Sequence, residues 1–324
     1  MKRVEIEAYT YVLVGATFWG FSGVVAKYLL NTGISPLRLV QIRMTFSALI
    51  LFFILLLFDH RRLTISASDI PYFLIFGIIG MAGNQFSYYF AVSKIHVGPA
   101  VVIQYLCPVW VTLYAYLFQK EPLTKKTVGA LFLAVLGCYL VAGGYRIDLL
   151  KLNGVGVMGG IVASLSAAFY ALYAERGLKR YDAWTVLFYG LGAGALFYGF
   201  LNSPVQMVTE DYPLKTWLAF LYIALFATLL PFALYFKGIE RIRVTRASIT
   251  AGWEPVMAGL SAYIILGEFL EPLQILGGLG VIAAVALLQM AKETAGPSSA
   301  IQIRQKDRGQ DVVGQRNLVK TEYR

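Results

Sequence analysis

Long apolar runs, separated by short polar connectors, set the pattern of this chain from residue 9 to residue 290. A membrane-spanning helix needs about 20 mostly apolar residues, because it rises about 1.5 Å per residue through a hydrocarbon layer about 30 Å thick. We therefore expect helices at 9–30, 36–58, 71–90, 98–118, 124–144, 153–175, 182–201, 214–236, 246–266 and 272–290. The pattern predicts an all-α polytopic membrane protein with ten transmembrane helices.

Composition agrees with a lipid environment. Hydrophobic residues make up 58% of the chain and charged residues 14%, whereas about a quarter of a soluble protein is charged. Lys2 and Arg3 precede the first run, but that run is too long for a signal peptide and no A-x-A-like cleavage site follows it. Cys107 and Cys138 lie in separate runs, which indicates packing rather than a disulfide or a metal site.

The positive charge follows the predicted topology. Of 28 Lys and Arg residues, 21 lie on the side of the N-terminus, 5 lie on the opposite side, and Lys27 and Arg43 lie inside apolar runs. This positive-inside bias predicts that both termini are cytoplasmic, and it accounts for the net charge of +10 without a nucleic-acid partner. We expect a cytoplasmic N-terminus at 1–8 and a disordered, basic cytoplasmic tail at 291–324.

The chain also contains an internal repeat. A shift of 147 positions aligns Tyr88 with Tyr235, Lys94 with Arg241, Ala100 with Ala247, Pro108 with Pro255 and Glu121 with Glu268. We expect two repeats of five helices, at 9–145 and 146–290. Because five is odd, the second repeat enters the membrane from the opposite face, and such inverted repeats are typical of secondary transporters with a site near the midplane. A duplicated helical scaffold without transport remains the alternative.

Four motifs within this repeat carry a family resemblance: FWG at 18–20, Glu254-Pro255, QKEPLT at 119–124 and LGEFLEPLQILGG at 266–278. In this order and spacing they resemble the EamA-type transporters of the drug/metabolite transporter superfamily, and the similarity covers residues 9 to 290. The resemblance implies an EamA-like fold in the inner membrane, with a central cavity between the halves. It also implies a carrier of small metabolites, often an exporter of amino acids.

The resemblance leaves the substrate open, since members of the superfamily also move nucleotide sugars, sugar phosphates and cationic drugs. The first run lacks the glutamate on which the small four-helix multidrug relatives depend, so their proton and drug exchange is not carried over. A phosphorylated substrate needs fixed cations near the midplane, and only Arg43 and Lys27 lie near enough. We therefore expect a zwitterionic, cationic or aromatic metabolite, with a sugar phosphate or nucleotide sugar as the alternative.

Glu254 is the main candidate for the substrate site. It lies about 12 Å along the predicted ninth helix, where an ionised acid costs about 2.5–3.5 kcal/mol unless it faces a cavity or a partner. Thr250, Glu254, Ala258 and Ser261 form a stripe at helical spacing, and Pro255 frees the carbonyl of Ala251. The acid predicts a site for an amine or a proton. A protonated Glu254 that serves packing alone is the competing interpretation.

Further polar and aromatic residues inside the predicted helices complete the candidate site. We expect substrate contacts from Trp253, Thr250, Gln104, Tyr105, Asn84, Gln85, Trp19, Tyr170 and Tyr173, and helix breaks that allow gating at Pro108 and Pro255. An interhelical hydrogen bond is the alternative role for each polar side chain. Arg43 is expected to extend its side chain outward to the membrane surface. Glu121 and Glu268 are expected to interact favourably with the positive N-terminal ends of the fifth and tenth helices.

The sequence gives no sign of an enzyme. His60 and His96 lie at loops, no aspartate lies in the middle of a predicted helix, and neither an HExxH motif nor paired acids occur. The GxGxxG at 154–159 follows no strand, so it predicts close helix packing rather than a nucleotide site. We expect no catalytic residue, cofactor or metal, whereas proton coupling and the choice between monomer and homodimer stay open. A membrane scaffold or receptor is the remaining alternative to a transporter.

Overall fold

A computed structural model describes residues 3–290 except 96, 148–151, 204, 206–210 and 268. Within these residues the chain is helical and contains no strand, which confirms the predicted fold class. The predicted tail at 291–324 lies outside the described residues. The described residues form ten long helices: α1 (Arg3–Asn31), α2 (Pro36–Phe58), α3 (Ile70–Ile75, Phe76–Ala82 and Gly83–Ile95), α4 (Val97–Gln104 and Cys107–Phe118), α5 (Lys125–Val141), α6 (Gly154–Gly177), α7 (Ala183–Leu201), α8 (Leu214–Ala224, Leu225–Leu229 and Leu230–Ile239), α9 (Val244–Ala251, Trp253–Ser261 and Ala262–Leu266) and α10 (Pro272–Met290).

Eight of these ten helices are long and apolar enough to cross a membrane. The other two are α5, which has 17 residues, and α9, which is divided into three short segments. α1 begins at Arg3, well before the predicted start at residue 9, while α2 matches its predicted bounds. Hydropathy therefore located all ten helices but did not show which of them are interrupted.

Side-chain caps fix the starts of several helices. Ser35, Thr124, Asn153 and Asp182 each accept a hydrogen bond from a backbone N–H in the first turn of α2, α5, α6 and α7 respectively. Such caps satisfy N–H groups that have no partner inside the helix. At Thr124 this bond comes from the N–H of Thr127 at 3.1 Å.

The first helix of each half packs against helices of the other half. α1 lies against α8 and α9 of the second half, and α6 lies against α3 and α4 of the first. The second helices of the two halves, α2 and α7, contact each other, as do the fifth helices, α5 and α10. A pseudo-twofold relation between the halves explains this pattern, since each contact in one half has a counterpart in the other.

Glycine permits the closest of these contacts. A Cβ atom on Gly137 of α5 would lie 2.7 Å from the carbonyl oxygen of Gly277 on α10. A Cβ on Gly20, the glycine of the FWG motif, would lie 2.8 Å from the carbonyl oxygen of Glu254. α1 therefore rests directly on the backbone of α9 where the candidate acid is found, which gives the FWG motif a physical meaning.

Irregular turns interrupt the helices at related places in both halves. α3 contains a π-helical turn at Phe76–Ala82 and α8 contains one at Leu225–Leu229, and the shift of 147 positions superimposes 78–82 on 225–229. α4 is broken at residues 105–106 and α9 at Gly252. Such interruptions are frequent at functional sites, and they surround the centre of this molecule.

Candidate functional site

A cavity of about 670 Å³ lies between the two halves. It runs from Glu254 and Arg43 to the exposed Asn31 at the end of α1. Among the described residues its walls include Trp19, Ser22, Gly23, Ala26, Leu30, Ile34, Pro36, Asn84, Gln85, Tyr88, Tyr89, Val92, Ser93, Gln104, Tyr170, Ile223, Ala227 and Phe232. The cavity opens on the face opposite the N-terminus, because the turn between α1 and α2 lies on that face.

Glu254 reaches the cavity from the second segment of α9. Gly252 ends the first segment, and Pro255 is buried at the start of the second, so the acid stands directly after the break. The carboxyl is surrounded by protein but remains partly accessible from the cavity. The side chain of Tyr105, beside the break of α4, lies near Glu254. The two broken helices therefore meet at this acid.

Arg43 enters the same cavity from α2. Its Nε donates to Thr228 Oγ1 at 2.9 Å, its Nη1 to Gln85 Oε1 at 2.9 Å and to the Tyr89 hydroxyl at 3.0 Å, and its Nη2 to the Ala227 carbonyl at 2.8 Å. The side chain is 5% exposed. The expectation that Arg43 extends to the membrane surface is therefore wrong. The polar groups of α3 and α8 satisfy the guanidinium internally, so it has no need to reach water.

Aromatic rings form the wall beside these charges. Trp19 packs edge-on against Phe232 at 5.0 Å between ring centroids, and Tyr170 packs on the same ring at 5.6 Å. Tyr88 and Tyr89 line the wall on α3. A substrate in this cavity thus meets two charged groups and several flat apolar surfaces.

The structure brings six of the ten predicted contact residues into the cavity wall: Trp19, Asn84, Gln85, Gln104, Tyr170 and Glu254. Asn84 donates to the Ala163 carbonyl at 2.9 Å, and Gln85 accepts from Arg43, so both also have structural partners. Gln104 ends the first segment of α4. Substrate contact by any of these residues stays a prediction.

Four predicted contact residues do not line the cavity. Trp253 donates from its indole N–H to Thr17 of α1 at 3.1 Å, and Thr250 is fully buried and donates to the Arg246 carbonyl. The Tyr173 ring stacks on Tyr72 at 4.7 Å. Tyr105 faces Glu254 from outside the wall. Helical spacing failed for Thr250 because the break at Gly252 interrupts α9 between Thr250 and Glu254.

Helix geometry is interrupted just before each of the two prolines predicted to break helices. Pro108 is buried in the first turn after the break in α4, and Pro255 is buried at the equivalent place in α9. Proline lacks the N–H that would continue the preceding segment. Their role in gating stays a prediction.

The end of the molecule that carries the N-terminus is closed. Ala8, Val12, Ile242, Val244 and Ala247 have no exposed surface there. Polar contacts cross this end as well, from Arg241 to Glu7 and from Arg246 to the Tyr9 hydroxyl at 3.2 Å.

Glu121 also belongs to the closed end. Burial raises the pKa of its carboxyl, while the Thr245 hydroxyl and the Arg243 charge act in the opposite direction. Glu121 precedes the start of α5, and its carboxylate accepts a bond from Thr245 of α9 at 2.9 Å. Glu268 lies outside the described residues.

Sequence reasoning missed the inward orientation of Arg43 and the contacts at the closed end. The signal for Arg43 was present: Arg43 and Ser47 on α2, and Gln85 and Tyr89 on α3, repeat at a spacing of four residues, which places each pair on one helix face. Among the described residues, no group of three or more His, Cys, Asp or Glu side chains is placed to hold a metal ion.

Ten helices in two inverted halves around a central polar cavity define a class, that of polytopic helical transporters. The model of the EamA-like transporter family matches residues 6–143 and 154–290. This chain belongs to that family, and it is a multi-pass membrane protein.

Its relatives are named as transporters. The uncharacterized inner membrane transporter YicL of Salmonella typhimurium is 26% identical over 286 residues, which cover 86% of this chain and 94% of the relative. An uncharacterized transporter of Archaeoglobus fulgidus is 30% identical over 221 residues, or 65% of this chain and 75% of the relative. The threonine/homoserine exporter RhtA of Escherichia coli is 26% identical over 218 residues, or 66% of this chain and 69% of the relative.

A protein of known crystal structure has the same fold. It superimposes with a TM-score of 0.72 at 15% sequence identity, covering 87% of this chain and 96% of its own. At that identity the likeness concerns the fold alone.

Proposed function

We propose that this transporter exports a small zwitterionic metabolite, an amino acid or a related amine, across the cytoplasmic membrane by alternating access. The positive charge on the N-terminal face favours an orientation with both termini in the cytoplasm. In that orientation the cavity opens to the outside, so the described conformation is outward-open. The similarity to an exporter named for threonine and homoserine supports the substrate class.

One observation carries the proposal: an acid and an arginine share one cavity. Among the described side chains of the wall, Glu254 and Arg43 are the two that carry charge. A substrate ammonium group fits beside Glu254, and a substrate carboxylate fits on the side of Arg43. The bonds of Arg43 to neutral groups orient the guanidinium without neutralising it, so its charge remains available to a substrate.

Arg43 also supports a second candidate, a phosphorylated substrate. A phosphate would gain from the guanidinium, but it would also lie in the same cavity as the carboxylate of Glu254. Like charges in a site of low dielectric repel each other, and a neutral zwitterion avoids that cost. We therefore place the sugar phosphate second.

Counterflow in proteoliposomes tests the proposal. The panel contains single amino acids, amines and sugar phosphates, each measured with and without a pH gradient. We expect exchange of at least one amino acid, and a loss of about 100-fold or more in Glu254→Gln, because unpairing a buried charge costs about 2–5 kcal/mol and every 1.4 kcal/mol is tenfold. Asp59→Asn, an acid paired with Arg62 outside the cavity, is the matched control and should exchange normally.

Two results would contradict the proposal. Exchange confined to sugar phosphates would favour the second candidate, and undiminished amino acid exchange by Glu254→Gln would remove the acid from the site. A pH gradient that drives uptake in the wild type but not in Glu254→Gln would add proton coupling to the role of this residue.

A further inference from the structure

The closed end contains a short helical segment that spans the route from the cavity to the N-terminal face. We propose that this segment, Val244–Ala251 of α9, is the cytoplasmic gate, that Glu121 and Glu175 hold it shut, and that it moves about Gly252 during the transport cycle. The inference rests on the proposed transport and extends it, because it names the residues that separate the cavity from the cytoplasm.

Two carboxylates from different elements hold the start of the segment. Glu121, in the connector between α4 and α5, accepts from Thr245 Oγ1 at 2.9 Å. Glu175, in the last turn of α6, accepts from the backbone N–H of Val244 at 3.3 Å and from Gln119 Nε2 at 3.1 Å. These contacts join the end of α4, α6 and the start of α9. The segment cannot leave the closed end without breaking them.

The equivalent segment of the other half shows what an open end looks like. In Val244–Ala251 six residues are buried: Val244, Thr245, Ala247, Ser248, Ile249 and Thr250. In Val97–Gln104, Ala100 is buried, while the described residues 98–99 and 101–104 are half-buried and Gln104 faces the cavity. One segment is packed at the closed end, whereas its counterpart is less buried and reaches the open cavity at Gln104. Alternating access between inverted repeats requires such a pair to exchange roles.

Gly252 gives the segment a hinge. Its N–H bonds to the Ile249 carbonyl at 3.1 Å in a tight turn, and its own carbonyl accepts from Cys138 Sγ at 3.5 Å. Glu254 stands two residues further on. Substrate binding at Glu254 and movement of the gate segment therefore both affect the turn at Gly252. This shared turn links substrate binding to the gate.

Thiol labelling tests the gate without any substrate. The reporter is Ser248→Cys, 3% exposed on the gate segment, in a chain whose two cysteines are replaced by Cys107→Ser and Cys138→Ser. A second reporter in the same background, Ala26→Cys, lies in the cavity wall. Each is labelled in nanodiscs with a bulky, water-soluble maleimide. The gate variants are Glu175→Ala and the nearly isosteric Thr245→Val, and Glu271→Ala at the open end is the control.

In both gate variants we expect the maleimide to label Ser248→Cys about tenfold faster. The loss of one hydrogen bond of about 1.4 kcal/mol raises the population of the open gate tenfold. Labelling of Ala26→Cys should slow in the same variants, because the cavity closes on the outside as the gate opens. Glu271→Ala should change neither rate. Unchanged rates in Thr245→Val, or faster labelling at both positions, would overturn the gate, since general loosening raises both. Amino acid exchange is measured separately, so either proposal can fail while the other stands.

Discussion

α4 and α9 occupy equivalent places in the two halves and are broken at equivalent residues, yet they differ where the chemistry is expected. After its break α4 continues with Cys107-Pro108, whereas α9 continues with Glu254-Pro255. The segment before the break reaches the cavity at Gln104 in α4 and is buried at the closed end in α9. The two copies thus share one backbone architecture, and the residues expected to act in transport lie where their sequences differ.

The surroundings of the two helices explain why the acid lies in α9. The backbone of α1 approaches Glu254 directly at Gly20. Where α6 approaches α4, a Cβ on Gly160 would meet only the side chain of Ile103, at 3.0 Å, and Trp110 donates to Ser164 at 3.1 Å. At Glu254, α9 therefore contacts α1 through its backbone. α4 contacts α6 through side chains, which can change conformation.

Moving the acid to the other half is the strongest test of this difference. We expect the double variant Glu254→Cys/Cys107→Glu to remain about 100-fold or more below wild type in amino acid counterflow, because Arg43 and Gly20 are matched to α9 alone. Cys107→Ser should stay close to wild type, since it introduces no charge. Recovery of exchange in the double variant would show that the two positions are interchangeable.

The second helices of the two halves, α2 and α7, also differ in how they contact the π-helical turns of α8 and α3. α2 meets α8 through Arg43, which donates two hydrogen bonds to α8 and two more to α3, whereas the residue aligned with Arg43 in α7 is Gly190, whose carbonyl would lie 2.5 Å from a Cβ on Gly77 of α3. Arg43→Met should lower the free energy of unfolding by about 2–3 kcal/mol, because several buried acceptors lose a charged donor.

Denaturant titration in mixed micelles measures this loss. Ser47→Ala, which removes one bond to the Ala224 carbonyl at 2.8 Å, is the matched control and should cost about 0.6–1 kcal/mol. Equal stability of Arg43→Met and Ser47→Ala would mean that the four bonds of Arg43 contribute no more than the single bond of Ser47, and it would contradict a structural role for Arg43 of the expected size.

A smaller effect is expected at the backbone contact between α1 and α9. Gly20→Ala places a methyl group 2.7 Å from Met257 Cβ and 2.8 Å from the Glu254 carbonyl, so it should cost about 1–2 kcal/mol of stability. Gly23→Ala, one turn further on the same helix, meets nothing within 4 Å and should not destabilise the protein. Equal stability of the two variants would show that α1 moves away from α9 without cost.

The sequence predicted the ten helices, the inversion and the central position of Glu254, because helix length and repeat spacing depend on hydropathy and on residues close in the chain. It did not predict the rotation of each helix about its axis. Arg43 finds Thr228 and Ala227 at separations of 185 and 184 residues, and Glu121 finds Thr245 at 124. Such partners are set by packing of the halves. Thr250 was predicted from a regular helix, and the break at Gly252 separates it from Glu254.

The smallest predicted effect lies at the contact between α7 and α3. The Tyr198 hydroxyl donates to the Ala82 carbonyl at 2.8 Å, at the end of the π-helical turn that corresponds to the turn held by Arg43. Tyr198→Phe removes one neutral hydrogen bond and keeps the ring, so we expect a loss of about 0.6 kcal/mol in the same titration. The glycine contacts at Gly77 and Gly190 remain, and they make this interface less dependent on one side chain than the interface of Arg43. A loss as large as that of Arg43→Met would show that both halves rely equally on a polar bond to the π-helical turn.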